Sequence, residues 1–162
     1  MTFGQGSRWL GLLLTLVACA SNSDGEPSSS LSQSDCSGQA DAIGVGLTKT
    51  SKDGTRFELR ALSPSVPVQS PGAPGNHWSV ALRRADDTPL TGAALNVTTF
   101  MPVHGHAGPS TVGIESSTDG DYDIDLLVFP MPALYAVTLT ATMKDAEPQS
   151  VAIYVCVEAA SG

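Results

Sequence analysis

From Cys36 onward, apolar and polar residues alternate with a period of two. Phe57, Leu59 and Ala61 alternate with Glu58 and Arg60, and Trp78, Val80 and Leu82 with Ser79, Ala81 and Arg83. Leu95 and Val97 alternate with Asn96 and Thr98 in a run that reaches Phe100. Tyr122, Ile124, Leu126 and Val128 alternate with Asp121, Asp123 and Asp125. Tyr135, Val137, Leu139 and Ala141 form the next series, and Val151, Ile153, Val155 and Val157 the last. Such a period places one face of each strand on a core and the other in water. No window carries the 3.6-residue period of an amphipathic helix of ordinary length.

Turn residues punctuate these runs: Asp53-Gly54, Pro71-Gly72-Ala73-Pro74-Gly75, Asp86-Asp87 with Gly92, Asp119-Gly120 and Lys144-Asp145. With a first strand near residues 43–50, the count reaches about seven. Short strands at this spacing predict an all-β fold, an immunoglobulin-like antiparallel β-sandwich, with a small barrel as the alternative. Pro64, Pro67 and Pro71 are placed to protect one open edge.

The N-terminal residues do not share this pattern. Residues 1–8 are polar with one cation, Arg8, and residues 9–18 (WLGLLLTLVA) are an apolar run. A bilayer span needs about 20 residues, so this run suits a secretory signal rather than a transmembrane helix. Leu16-Val17-Ala18-Cys19 resembles the lipobox of bacterial lipoproteins. That resemblance implies cleavage before Cys19, acylation of its thiol and a protein anchored by lipid without a spanning helix. Ala20 after that Cys implies the outer membrane, facing the periplasm. An ordinary signal peptide with a chance Cys is the competing reading. The organisation expected is a signal peptide over 1–18, lipidated Cys19 with a Ser-rich flexible tether over 19–35, and one domain over 36–162.

Cysteine arithmetic fits export. With Cys19 assigned to lipid, Cys36 and Cys156 remain as an even pair, and in an oxidising compartment such a pair forms a disulfide. The loop it closes spans nearly the whole domain, worth at most roughly 4–5 kcal/mol by the chain-entropy model. Charge narrows the partners: 16 Asp+Glu against 8 Lys+Arg give a formal charge of −8. Without a basic stripe to displace counterions, no nucleic-acid partner is expected.

One cluster carries candidate chemistry. Met101-Pro102-Val103-His104-Gly105-His106 follows the strand ending near Phe100 and holds two of the three His. In an extended segment His104 and His106 point the same way, and Gly105 permits a bend if they do not. Met131, between Pro130 and Pro132, belongs to a loop after the strand of Tyr122. At one end of a sandwich, Met101, His104, His106 and Met131 could converge. Imidazole with thioether suits a copper ion, Cu(I) above all, better than calcium or magnesium. Zinc takes His with Cys or carboxylate, so it fits less well. The rival reading makes Met101 and Met131 core plugs and the His residues a solvated turn.

Gly75-Asn76-His77-Trp78, the Met101-Pro102-Val103-His104-Gly105-His106 segment, Gly120-Asp121-Tyr122 and Phe129-Pro130-Met131-Pro132 together resemble the YtkA-like domain, over roughly residues 47–157. That family has an MP-x-H-x-H segment, a G-x-Y strand and a following MPG-x-W segment. Ala133 and Tyr135 stand where the family has Gly and Trp. The resemblance implies a small all-β domain of exported bacterial proteins, similar to copper-resistance sandwich proteins.

Other patterns lead nowhere chemical. The acids at Asp119, Asp121, Asp123 and Asp125 lack the Gly and terminal Glu of a calcium-binding EF-hand loop and read as a solvated strand face. Asn96-Val97-Thr98 matches a glycosylation sequon that a bacterial lipoprotein does not use. His77, beside Trp78, reads as structural. Ser110 lies near His106, but no acid is placed to orient that His as in a catalytic triad. The function expected is therefore non-enzymatic: copper binding by an envelope lipoprotein that buffers the metal or passes it to another exported copper protein. The alternative is a structural or protein-interaction lipoprotein without metal.

Overall fold

The computed structural model describes residues 36, 38–67, 69 and 75–158. The signal peptide, the lipobox Cys19, the tether, most of the Pro71–Gly75 turn and residues 159–162 lie outside the described residues.

Nine strands are present among the described residues: β1 (Thr48–Thr50), β2 (Arg56–Ser63), β3 (Asn76–Arg83), β4 (Ala94–Met101), β5 (His106–Ala107), β6 (Thr111–Glu115), β7 (Asp121–Leu127), β8 (Ala133–Thr142) and β9 (Gln149–Val157). All pairings are antiparallel. The hydrogen-bonded order is β1-β2-β3-β7-β6-β4-β8-β9, with β5 appended to β4. Two halves of this one continuous sheet, β2–β3–β7 and β4–β8–β9, enclose the core in a sandwich-like, nearly closed barrel. Phe57, Leu59, Trp78, Val80, Tyr122 and Ile124 come from the first half, and Leu95, Val97, Tyr135, Val137, Ile153 and Val155 from the second. These are the apolar phases of the sequence alternation.

The expected strand count of about seven is corrected to nine by β5 and β6. β6 escaped the periodicity because its alternation is inverted. Val112 and Ile114 face solvent, while Gly113 faces inward against Leu95. A Cβ on Gly113 would come within 2.5 Å of Leu95 Cδ2, so only glycine lets β6 pass over that side chain. The first strand is also shorter than expected, beginning at Thr48 rather than near residue 43.

The edge of β9 is covered by the chain leading into β1. Asp41 N–H donates to Tyr154 O at 2.8 Å, and the Asp41 carboxylate accepts from Tyr154 N–H at 2.8 Å. Lys49 Nζ donates to the same carboxylate at 2.5 Å. Burial alone would raise the Asp41 pKa. The Lys49 and Tyr154 hydrogen bonds and the Lys49 charge together hold it below its ordinary 3.8. A disulfide joins Cys36 to Cys156 with a Cα–Cα distance of 5.4 Å, inside the usual range. An unpaired edge recruits foreign strands, and these contacts block this one.

Candidate metal-binding rim

Three connections meet at one end of the barrel, called here the rim: β2 to β3, β4 through β5 to β6, and β7 to β8. The hairpin that carries the imidazoles turns tightly. His104 N–H and Gly105 N–H both donate to Met101 O, at 3.1 and 2.8 Å. Gly105 has φ of 68°, the left-handed conformation that glycine adopts without strain. The backbone therefore bends between the two His instead of running extended. Their rings nevertheless stay close, with centroids 5.9 Å apart and planes at 71°. Both side chains are exposed.

His106 Nδ1 lies 3.2 Å from Ala107 O. A carbonyl oxygen only accepts, so Nδ1 carries the proton and Nε2 of the neutral ring keeps its lone pair for a ligand.

Met101 is the cross-strand partner of His106 in the β4–β5 pair, yet its side chain is buried. It is 1% exposed and belongs to the core cluster with Trp78, Leu127, Phe129 and Tyr135. Its burial follows from strand phase, because Leu95, Val97, Thr99 and Met101 all fall on the inward face of β4. Met101 thus packs into the rim end of the core, the place the rival reading gives it.

Met131 is 37% exposed, and its loop is fastened by one side chain. The Tyr135 hydroxyl donates to Met131 O at 2.9 Å and accepts from Met131 N–H at 3.3 Å. Burial pushes the Tyr135 pKa above 10, opposed by the Met131 hydrogen bond, so the hydroxyl keeps the proton it donates. On the hairpin side, a Cβ added to Gly108 would reach ordinary contact distance of Tyr135 Cε1, 3.8 Å. The Tyr135 hydroxyl thus fastens the Met131 loop, with Gly108 near the same ring. The alternation places Tyr135 on the inward face of its strand but does not show this clamp. Its available signal was a tyrosine four residues after a Pro-Met-Pro tripeptide.

His77, the second residue of β3, has Nδ1 2.9 Å from Asp125 Oδ1. Arg83 reaches Asp121 at 3.0 Å, and Asp123 and Asp125 face solvent, so these acids form the expected solvated face. Among the described residues no group of three or more His, Cys, Asp or Glu is placed to hold a metal ion. An open groove lies at the far end, between Asp53, Arg84, Asp86, Leu90, Met143 and Glu147, away from both imidazoles.

A family model described as YtkA-like matches residues 56–140, more than half of the chain. The matched stretch runs from β2 into β8 and contains the hairpin imidazoles, Met131 and Tyr135. No curated protein and no solved structure matches the chain.

Proposed function

The chain belongs to the YtkA-like family, and on that premise we propose that it is a lipid-anchored bacterial envelope protein that holds a copper ion at the rim, for buffering or delivery rather than catalysis. The observation that carries this reading is the exposed imidazole pair, 5.9 Å apart on a hydrogen-bonded hairpin. Exposed imidazoles fit a soft-to-borderline metal, which two or three such donors can satisfy. His104 and His106 would hold the ion, and Met131, on the loop fastened by Tyr135, would supply the thioether. These donors would hold copper as an ion, for buffering or for transfer. The chain's own part is to present two imidazoles, keep the His106 Nδ1 proton on Ala107 O, and hold the Met131 loop in place.

Anchoring rests on the lipobox-like Leu16-Val17-Ala18-Cys19. The recipient would be another exported copper protein. Burial of Met101 favours, for that residue, the purely structural role of the rival reading.

Copper titration of the exported full chain tests the proposal. One Cu(I) per chain is expected, with binding lost in His104→Ala and in His106→Ala and weakened in Met131→Ala. Binding that survives both His substitutions overturns the rim as its site, and no binding at all leaves the non-metal module as the reading.

A further inference from the structure

The two outer sides of the sheet differ in charge. On β2, β3 and β7 the side chains that leave the core phase include Arg56, Glu58, Arg60, Arg83, Asp121 and Asp123. On the other side, β4, β8 and β9 contain no Asp, Glu, Lys, Arg or His at any position, inward or outward.

The register lays the outward residues of these three strands in rows. Phe100, Ala136 and Tyr154 form one cross-strand row, and Thr98, Thr138 and Ala152 the next. In a third row Thr140 Oγ1 lies 2.9 Å from Ser150 Oγ. β6 widens the face on the β4 side, where Val112 pairs with Asn96. Val112 and Ile114 are 52% and 64% exposed, and Phe100 and Tyr154 are exposed at the rim corners of the same face. Charged side chains resume at the margins, with Asp123 opposite Ile114 and the Asp41–Lys49 pair at the β9 edge.

We propose that this face is where two copies of the chain pack sheet on sheet under a twofold axis, centred near Thr98 and Thr138. The inference rests on neither the copper reading nor the lipid anchor. Three arguments choose a second copy as the occupant. First, chains of charge −8 repel one another, and a face without charges lets two of them meet without setting like charges together. Second, an isologous contact brings each patch against itself. A carboxylate only accepts hydrogen bonds, whereas a Thr or Ser hydroxyl both donates and accepts, so this face can bond to its own symmetry mate. Third, the outward positions of β6, β4, β8 and β9 cover roughly 20 Å by 25 Å. Two such faces remove about 1,000 Å² from water, the size at which a specific interface begins. The dimer is therefore weak and concentration-dependent. His106 pairs with Met101, out of phase with Phe100, and the hairpin lies past the end of β4. This packing leaves the imidazoles open to a recipient.

The test weighs the full chain, exported from a bacterial host, by light scattering in mild detergent at rising protein concentration, with the detergent mass subtracted. The protein mass should climb towards twice that of one chain. Thr138→Glu and Thr138→Lys each set like charges face to face and should hold it at one chain. Mixing the two variants should restore the doubled mass, a result that misfolded chains do not give. Glu58→Gln, on the charged side, should leave doubling intact. Single mass in the parent chain or in the mixture overturns the proposal. So does doubling that survives Thr138→Glu, because the copies then meet elsewhere or share a micelle. Cross-linking Thr138→Cys chains with a bismaleimide in the native envelope should join two copies. A product with a different protein alone overturns the proposal and assigns the face to that partner.

Discussion

At each end of the barrel a buried tyrosine fastens one connection by the same device. Tyr122 donates to Leu90 O and accepts from Ala93 N–H, both at 3.0 Å, holding the β3–β4 connection at the far end. Tyr135 does the same to the two backbone groups of Met131 at the rim. Burial raises the pKa of both hydroxyls. What the clamps hold is different. The far connection carries Arg84, Asp86 and Asp87 and buries Leu90, whereas the rim connection carries no charge and leaves Met131 exposed. The same structural solution thus supports a solvated end and an end free to meet a ligand. What differs is the loop sequence, not the scaffold.

The comparison breaks hardest at the plugs. Met101→Ala and Leu90→Ala should each destabilise the domain by roughly 2–5 kcal/mol in denaturant unfolding, since both side chains are buried. Met101→Ala should leave copper stoichiometry untouched, which separates the core plug from the rim donors.

A smaller effect is expected from the clamps. Tyr122→Phe and Tyr135→Phe each strip a backbone N–H and C=O of their partner, a loss of about 1–3 kcal/mol in the same measurement. Only Tyr135→Phe should also weaken copper binding, by roughly 10–100-fold in titration, as loss of a supporting shell does.

The smallest effect sharpens the edge rather than the ends. Asp41 has a lowered pKa in the folded state, so its contribution is fully present above the ordinary value of 3.8. It is lost as the pH falls through the folded value. Unfolding midpoints followed from about pH 6 to about pH 3 should decline less steeply in Asp41→Asn than in the parent chain.

Much of the fold was legible as period. Six runs read from alternation correspond to β2, β3, β4, β7, β8 and β9, because a half-buried strand must repeat every two residues. β5 is too short to show a period, and β6 shows one in the wrong phase, with Gly113 inward where a large residue would mark a core position. The burial of Met101 was legible too, since it continues the odd-numbered inward phase of Leu95 and Val97. The fastening of the Met131 loop by Tyr135 was not legible. It depends on where the Tyr135 hydroxyl comes to rest against the Met131 backbone.

The sequence by itself determined most of the inward positions of β2, β3, β4, β8 and β9, where the strands turn, and that Cys36 and Cys156 form an even pair once Cys19 is set aside. Each of these is a local property, or a count, that needs no knowledge of neighbours. The tertiary structure alone decided that β7 lies between β3 and β6, that β4 pairs with β8, and that Gly113 makes room for Leu95. It also drew the uncharged connections to one end and the charged ones to the other. The physical reason is that strand order is set by packing between residues far apart in the chain, and a period of two carries no record of which strands become neighbours.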